Sequence, residues 1–336
     1  MKKRTLWIDC LRIIGMLGVI IMHIVGNTIN TLGLKGTPEV IYDIVSKSFY
    51  FTMPLFVMIS GGLLLSKDIN YKDIFFKYIR RMVFVLIIFG GAFAFMEEYF
   101  LTKTIELSMI GSIIKRIFTG DLWAHMWYIY LMIALYLITP LLRKWVKHSN
   151  NNEQLWFLII LYILTILSGE FCGLIGIQTA FYIPINTGFV FTYLLGYYIF
   201  NNDLSKKKET ILYIFSILSI IGIILLSYFK VCNYLVGYTS TLCIIVAIGV
   251  LYILKNRTIT KKKIISNLIR MLGECSFGIY IIHQFYINII YKFLKMDFIL
   301  TMPYLGILIY VFIVFILSLS TIYILKKIKF MNKYIL

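Results

Sequence analysis

The stretch 7–30, WIDCLRIIGMLGVIIMHIVGNTIN, is the feature that most constrains this chain. It is long enough to cross a bilayer, which takes about 20 residues, yet it contains Asp9, Arg12 and His23. At about 100° per residue, Arg12 and His23 differ by only about 20° around a helix and lie roughly 16 Å apart along its axis. Asp9, Arg12, His23 and Asn27 therefore share one polar face on an otherwise apolar helix.

Two interpretations of this polar face remain open. Asp9 and Arg12 could form a local i, i+3 pair near the membrane surface, with His23 bonded to a neighbouring helix. The alternative is a functional site, because ionisable groups inside a span are costly and by default indicate function. Such a site would need polar groups at two depths in the membrane.

Composition and hydropathy predict an integral membrane protein. Hydrophobic residues make up 60% of the 336, which is far above the average of soluble domains. We expect an all-α polytopic membrane helix bundle of about ten transmembrane helices, forming one domain over residues 1–336 with no separate soluble domain. The predicted spans are 7–30, 46–66, 75–99, 125–145, 155–173, 181–200, 211–229, 236–254, one containing 273–285, and 299–325.

The net charge of +18 follows the predicted topology. Most Lys and Arg fall on the loops and tails on one side of the ten spans, which is the positive-inside pattern and predicts that both termini are cytoplasmic. The basicity therefore indicates orientation and no nucleic acid, although part of it would attract an anionic cytosolic ligand. Five cysteines without CxxC spacing predict neither a disulfide nor a metal site.

Several segments together resemble a known family. The arginine, ten residues and histidine in IDCLRIIGMLGVIIMH are similar to the opening motif of the acyltransferase family 3 membrane proteins. Three later segments resemble that family in the same order: FTMPLFVMISGGLLL, then HMWYIY with LYLITPLLR, then SFGIYIIH. The family consists of multi-span O-acyltransferases, many of which acetylate bacterial surface polysaccharides.

The resemblance implies a donor site on the cytoplasmic side. Lys77 and Arg80 match, with lysine in first position, the family's arginine-x-x-arginine motif, whose implied role is to bind the phosphates of acyl-CoA. Because lysine lacks the guanidinium fork, Arg80 and Arg81 are the stronger candidates, and Arg12 is a further one. An ordinary positive-inside cluster is the competing interpretation of this group.

The resemblance implies that His23 is catalytic. Neutral His23 would act as general base on an acceptor hydroxyl, and an acyl-histidine intermediate is the alternative. The carboxylate of Glu170 could bind the acceptor, orient His23 or simply lie at the interface. Ser276, Tyr280 and His283 share a helical face, for which interhelical hydrogen bonding is the competing explanation. The residues expected to support the site are Asp9, Asn27, His125, Trp127, Tyr128, Glu170, Ser276, Tyr280 and His283.

The resulting hypothesis is a membrane O-acyltransferase in a bacterial plasma membrane, in contact with its lipids. It would move an acyl group, expected to be acetyl, from cytosolic acyl-CoA to a hydroxyl of a cell-surface or lipid-linked glycan, without a metal. A transporter or flippase for a sugar-containing or small polar substrate is the main alternative, since a translocation path also needs ionisable residues. A sensory or anchoring subunit without catalysis is the third. Dependence on a CoA thioester distinguishes the enzyme from a carrier.

Overall fold

The computed structural model describes residues 5–177, 188–255, 257–292 and 303–336, and within these ranges all regular secondary structure is helical. This confirms the predicted all-α bundle. The helices are α1 Leu6–Leu32, α2 Thr37–Ser48, α3 Thr52–Leu64, α4 Tyr71–Thr102, α5 Ser108–Thr119, α6 Trp127–His148, α7 Asn151–Leu174, α8 Phe189–Asn201, α9 Lys206–Tyr228, α10 Thr241–Leu254, α11 Lys263–Lys292, α12 Pro303–Leu325 and α13 Lys329–Tyr334.

The number of spans agrees with the sequence pattern. In the described part of the chain, nine helical segments are long and apolar enough to cross a membrane, and α8 is a shorter apolar helix. The predicted sixth and tenth spans begin earlier than α8 and α12. Residues 181–187, with Pro184 and Asn186, and residues 299–302 lie outside the described ranges.

Helix α1 lies at the centre of the bundle. It packs against α2, α3, α10, α11 and α12, and a larger share of its apolar window is buried than in any other described span. Its closest partner is α11, which carries the SFGIYIIH segment. In contrast, most of the apolar window of α9 faces outward, as expected for a helix at the lipid boundary.

The predicted second span is not one helix. The chain leaves helical geometry at residues 49–51, so that α2 ends before them and α3 begins after them. Pro54 lies in the first turn of α3, where a backbone without an N–H loses nothing because the first N–H groups of a helix have no intrahelical partner. The break directly follows the polar residues 46–48, which the sequence analysis took as the start of a single span.

Helices α3 and α8 are in close backbone contact. A Cβ on Gly61 would overlap the Tyr193 carbonyl oxygen, and a Cβ on Gly196 would overlap the Met58 carbonyl oxygen. Only glycine fits at these two crossing points. The pair follows the rule that small residues let membrane helices approach closely.

Two features of the region 71–124 depart from the sequence prediction or from regular α-helix. Helix α4 contains two π-helical stretches, Ile74–Ile79 and Leu86–Gly90. The segment 101–124, which the sequence predicts as a loop, contains the helix α5. The Arg116 side chain ties α5 to α4 through an ion pair with Glu97 at 2.7 Å.

Candidate active site

Three of the predicted site residues are histidines that meet inside the bundle. The ring centroids of His23 and His283 lie 5.2 Å apart, those of His125 and His283 also 5.2 Å, and those of His23 and His125 6.4 Å. His23 comes from α1, His125 from the short turn Ala124–Met126 that leads into α6, and His283 from α11. We call these three residues the histidine cluster.

Backbone carbonyl groups fix two of these imidazole rings. His125 Nε2 lies 3.0 Å from the Ile281 carbonyl oxygen, and His283 Nδ1 lies 2.6 Å from the Tyr280 carbonyl oxygen. A carbonyl oxygen only accepts, so each of these ring nitrogens carries the hydrogen and donates it. In a neutral imidazole the other nitrogen is then an acceptor. Those acceptors are Nδ1 of His125 and Nε2 of His283.

Each histidine of the cluster presents a buried ring nitrogen that has no hydrogen-bond partner. These nitrogens are His23 Nε2, His125 Nδ1 and His283 Nε2. The side chains of His125 and His283 are completely buried, whereas His23 is partly exposed. Buried polar atoms in folded proteins are nearly always bonded to protein or to ordered water, so three unpartnered nitrogens in one place indicate that water or a ligand binds here.

Aromatic side chains surround the cluster. The Tyr280 ring lies 5.9 Å from that of His125 and 5.7 Å from that of His283, and its hydroxyl donates to the His125 carbonyl oxygen at 2.5 Å. Phe93 and Trp123 stack on each other at 4.3 Å and lie 6.0 and 6.5 Å from the His125 ring. The sequence analysis missed Phe93 and Trp123. Trp123 precedes the recognised HMWYIY run by two residues, but no pattern singles out Phe93.

A cavity of about 360 Å³ lies among α1, α3, α4, α6 and α11. Arg12, Arg81 and Lys67 line it together with Tyr128 and Tyr280. The cavity extends from this group of cations to Tyr280, whose ring also contacts the histidine cluster. The three histidines of the cluster are not among the residues that line it. We call it the donor cavity, after the donor site that the sequence analysis predicts.

The predicted donor cations separate into two groups. Arg12 pairs with the fully buried Asp9 at 3.2 Å, and Arg81 Nε donates to the Ile335 carbonyl oxygen at 2.7 Å while Nη2 contacts the Leu336 oxygen. Both arginines line the cavity.

Lys77 and Arg80 belong to the second group. Both side chains are exposed and do not line the donor cavity. Each lies over an aromatic ring instead, Lys77 over Tyr78 at 5.8 Å and Arg80 over Tyr334 at 4.8 Å. Lys77 belongs to a π-helical stretch, whose wider turn changes which residues share a face.

Glu170 and Trp127 contact residues outside the histidine cluster. The two carboxylate oxygens of Glu170 accept from the backbone N–H and the hydroxyl of Thr241, at 2.7 and 2.6 Å, at the start of α10. The Trp127 ring stacks on Tyr238 at 5.7 Å. Neither contact involves the histidine cluster.

The remaining predicted side chains lie near the site. Asn27 Nδ2 donates to the His23 carbonyl oxygen at 2.8 Å. Ser276 donates to the Gly273 carbonyl oxygen at 2.9 Å and lines the donor cavity. Across residues 5–177, 188–255, 257–292 and 303–336, no group of three or more His, Cys, Asp or Glu side chains is placed to hold a metal ion.

Comparison with known proteins gives one match. A family model described as an acyltransferase domain matches residues 5–324, which is nearly the whole chain. No curated protein and no solved structure matches the chain. The matched range contains the histidine cluster and both arginines of the donor cavity.

Proposed function

Because the chain belongs to the acyltransferase 3 family, we propose that this membrane acyltransferase is an acetyl-CoA-dependent O-acetyltransferase. Its acceptor is a hydroxyl of a cell-surface or lipid-linked glycan, and it acts in a bacterial plasma membrane. His23 is the general base. The observation that carries the proposal is the donor cavity, which joins two half-buried arginines to an aromatic edge of the histidine cluster.

The cavity suits a long donor with a charged head and a reactive thioester at the other end. Arg12 and Arg81 supply fixed cations for phosphate groups. Arg81 donates to the Ile335 carbonyl oxygen and to an oxygen of Leu336, and its side chain lines the same cavity as that of Arg12. The phenol rings of Tyr128 and Tyr280 then flank the thioester arm next to the cluster.

Transfer needs one base and one leaving group. His23 Nε2 is buried and unpartnered, so it is available to take the proton of the acceptor hydroxyl. As that O–H bond breaks, the oxygen forms a bond to the thioester carbonyl carbon, and the carbon–sulfur bond then breaks. The CoA sulfur leaves as a thiolate and takes the proton from His23, which leaves an ester, a thiol and neutral histidine. A positioned general base contributes about 10²- to 10⁴-fold.

Isolated membranes and acetyl-CoA labelled on the acetyl group test the proposal. Wild-type protein should place label on a glycan, and His23→Ala should lower that transfer by about 10²- to 10⁴-fold. The matched control is His148→Ala, because His148 is the exposed fourth histidine and should leave transfer unchanged. Absence of His23-dependent label with correctly inserted protein would contradict the proposal and favour a transporter.

A further inference from the structure

We propose that the histidine cluster recognises its acceptor as a diol. His23 Nε2 receives the hydrogen of the attacking hydroxyl, and His283 Nε2 accepts a hydrogen bond from the neighbouring hydroxyl of the same molecule. This inference rests on the proposed function and adds a requirement on the substrate. A second free hydroxyl beside the reacting one, as on a sugar ring, is needed for full transfer.

The first argument is that the free ring nitrogens are hydrogen-bond acceptors. His283 donates its only ring hydrogen to the Tyr280 carbonyl oxygen, and His125 donates its own to the Ile281 carbonyl oxygen. What His283 and His125 offer a ligand is therefore one lone pair each. A ligand that satisfies this site must bring several hydrogen-bond donors.

The second argument is spacing. The rings of His23 and His283 have centroids 5.2 Å apart, so their two unpartnered Nε2 atoms belong to neighbouring rings. Two hydroxyl groups on adjacent carbons lie close enough together for each to reach one nitrogen at a normal hydrogen-bond length of about 2.8 Å. A single alcohol would leave one buried acceptor without a partner, which costs binding free energy.

The third argument is that the site disfavours a positively charged ligand. An ammonium group also brings several hydrogens, but the rings packed against the cluster, those of Phe93, Trp123 and Tyr280, are all uncharged. Of the carboxylates predicted near the site, Asp9 pairs with Arg12, and Glu170 accepts two bonds from Thr241. Glu98 on α4 has a buried oxygen without a hydrogen-bond partner, so that oxygen is not bonded to any of the three ring nitrogens. A buried cation without a counter-charge is strongly disfavoured, so neutral hydroxyl groups fit this site better than an amine.

The test uses purified wild-type protein in liposomes with labelled acetyl-CoA and three small probes: cyclohexanol, cis-1,2-cyclohexanediol and cyclohexylamine. We expect kcat/KM for the diol to exceed that for cyclohexanol by roughly 10- to 100-fold, because a site built to bond a hydroxyl rejects the analogue that lacks it. Equal transfer to diol and monol, or faster transfer to the amine, would overturn the inference. So would loss of transfer on chelation that zinc restores, since the lone pairs would then be metal ligands.

A variant of one residue assigns the effect. In His283→Asn, the amide nitrogen can still donate to the Tyr280 carbonyl oxygen, but the Nε2 lone pair is gone. We expect the ratio of diol to monol transfer to fall toward one. The control His148→Asn removes an exposed histidine whose Nδ1 also donates to a backbone carbonyl, that of Lys144, and should keep the ratio. A preserved ratio in His283→Asn would overturn the assignment to His283.

Failure of this inference differs from failure of the proposed function. Label on membrane glycan that requires His23, with no preference for the diol probe, would overturn the diol requirement and leave the acetyltransferase intact. Absence of His23-dependent label on glycan and probes alike would overturn both.

Discussion

The Tyr280 hydroxyl donates a hydrogen bond to the backbone carbonyl oxygen of His125 at 2.5 Å. In the opposite direction, His125 Nε2 donates to the carbonyl of Ile281, the residue after Tyr280. Two reciprocal bonds therefore join α11 to the turn before α6. Because the same tyrosine lines the donor cavity, this pair of hydrogen bonds lies between that cavity and the histidine cluster.

Removing the Tyr280 hydroxyl should weaken the connection between α11 and the turn before α6. Tyr280→Phe leaves a buried carbonyl without its donor, which typically costs about 1–3 kcal/mol, and we expect a lower unfolding temperature in detergent together with reduced acetyl transfer. Tyr286→Phe is the matched control, because its hydroxyl bonds Thr321 on α12 away from the cluster. Equal effects of the two changes on transfer per folded molecule would count against a role for Tyr280 at the site.

The split among the donor cations predicts unequal effects on acetyl-CoA. Arg81→Gln removes a cation from the cavity wall and should raise the KM for acetyl-CoA by roughly 10-fold or more, as expected for a lost charge-assisted bond. Arg80→Gln, one residue earlier and exposed on Tyr334, should raise it less. Initial rates over a range of acetyl-CoA concentrations measure both values. A larger effect at Arg80 would place the phosphates on the exposed surface.

Glu170 should matter for folding more than for catalysis. Its carboxylate accepts two bonds from Thr241 and binds the positive end of α10. Glu170→Gln loses the charge and one acceptor, so we expect a loss of about 1–2 kcal/mol in stability. Transfer per folded molecule should stay near that of wild type. Thermal unfolding of Glu170→Gln measures the loss of stability, with the exposed Glu106→Gln as the control. A loss of transfer without a loss of stability would instead indicate that Glu170 binds the acceptor.

The crossing of α3 and α8 gives a test of the fold. Gly61→Ala places a methyl group against the Tyr193 backbone, and overpacking of this kind costs about 1–3 kcal/mol or more. Gly26→Ala is the matched control, because a Cβ there meets nothing within 4 Å. We expect Gly61→Ala to lower the yield of monodisperse protein and its unfolding temperature, with little change in Gly26→Ala. If both variants behave alike, the contact between the two helices is looser than described.

Much of the fold could be predicted because the membrane allows few solutions. Runs of about 20 apolar residues must be helices in a bilayer, since every backbone group needs an internal partner. The polar face of α1 was also readable, because the 3.6-residue period places Arg12 and His23 together. The segments HMWYIY and SFGIYIIH then pointed to His125 and His283 through resemblance, and the structure brings both to His23.

The remaining features depend on contacts or backbone geometry that local patterns do not contain. The break before α3 directly follows the polar residues 46–48, and the local pattern there fits the start of one span as well as the end of another helix. Arg80 and Arg81 are adjacent and point about 100° apart around the helix, and which of the two faces the cavity depends on how α4 packs, which no local pattern shows. The partner of Glu170 is Thr241, on a helix far along the chain, so spacing alone could not choose among its three interpretations.

The positions of the three histidines along the chain determine when the cluster can form during membrane insertion. The ribosome delivers α1 to the membrane first, then the turn before α6 and later α11, so the cluster cannot form before α11 is inserted. Until α11 arrives, His23 and His125 lie in a half-built bundle without the backbone carbonyl that orients His125. The complete cluster is thus a property of a chain inserted at least as far as α11, and a translation product that stops earlier lacks the ring of His283.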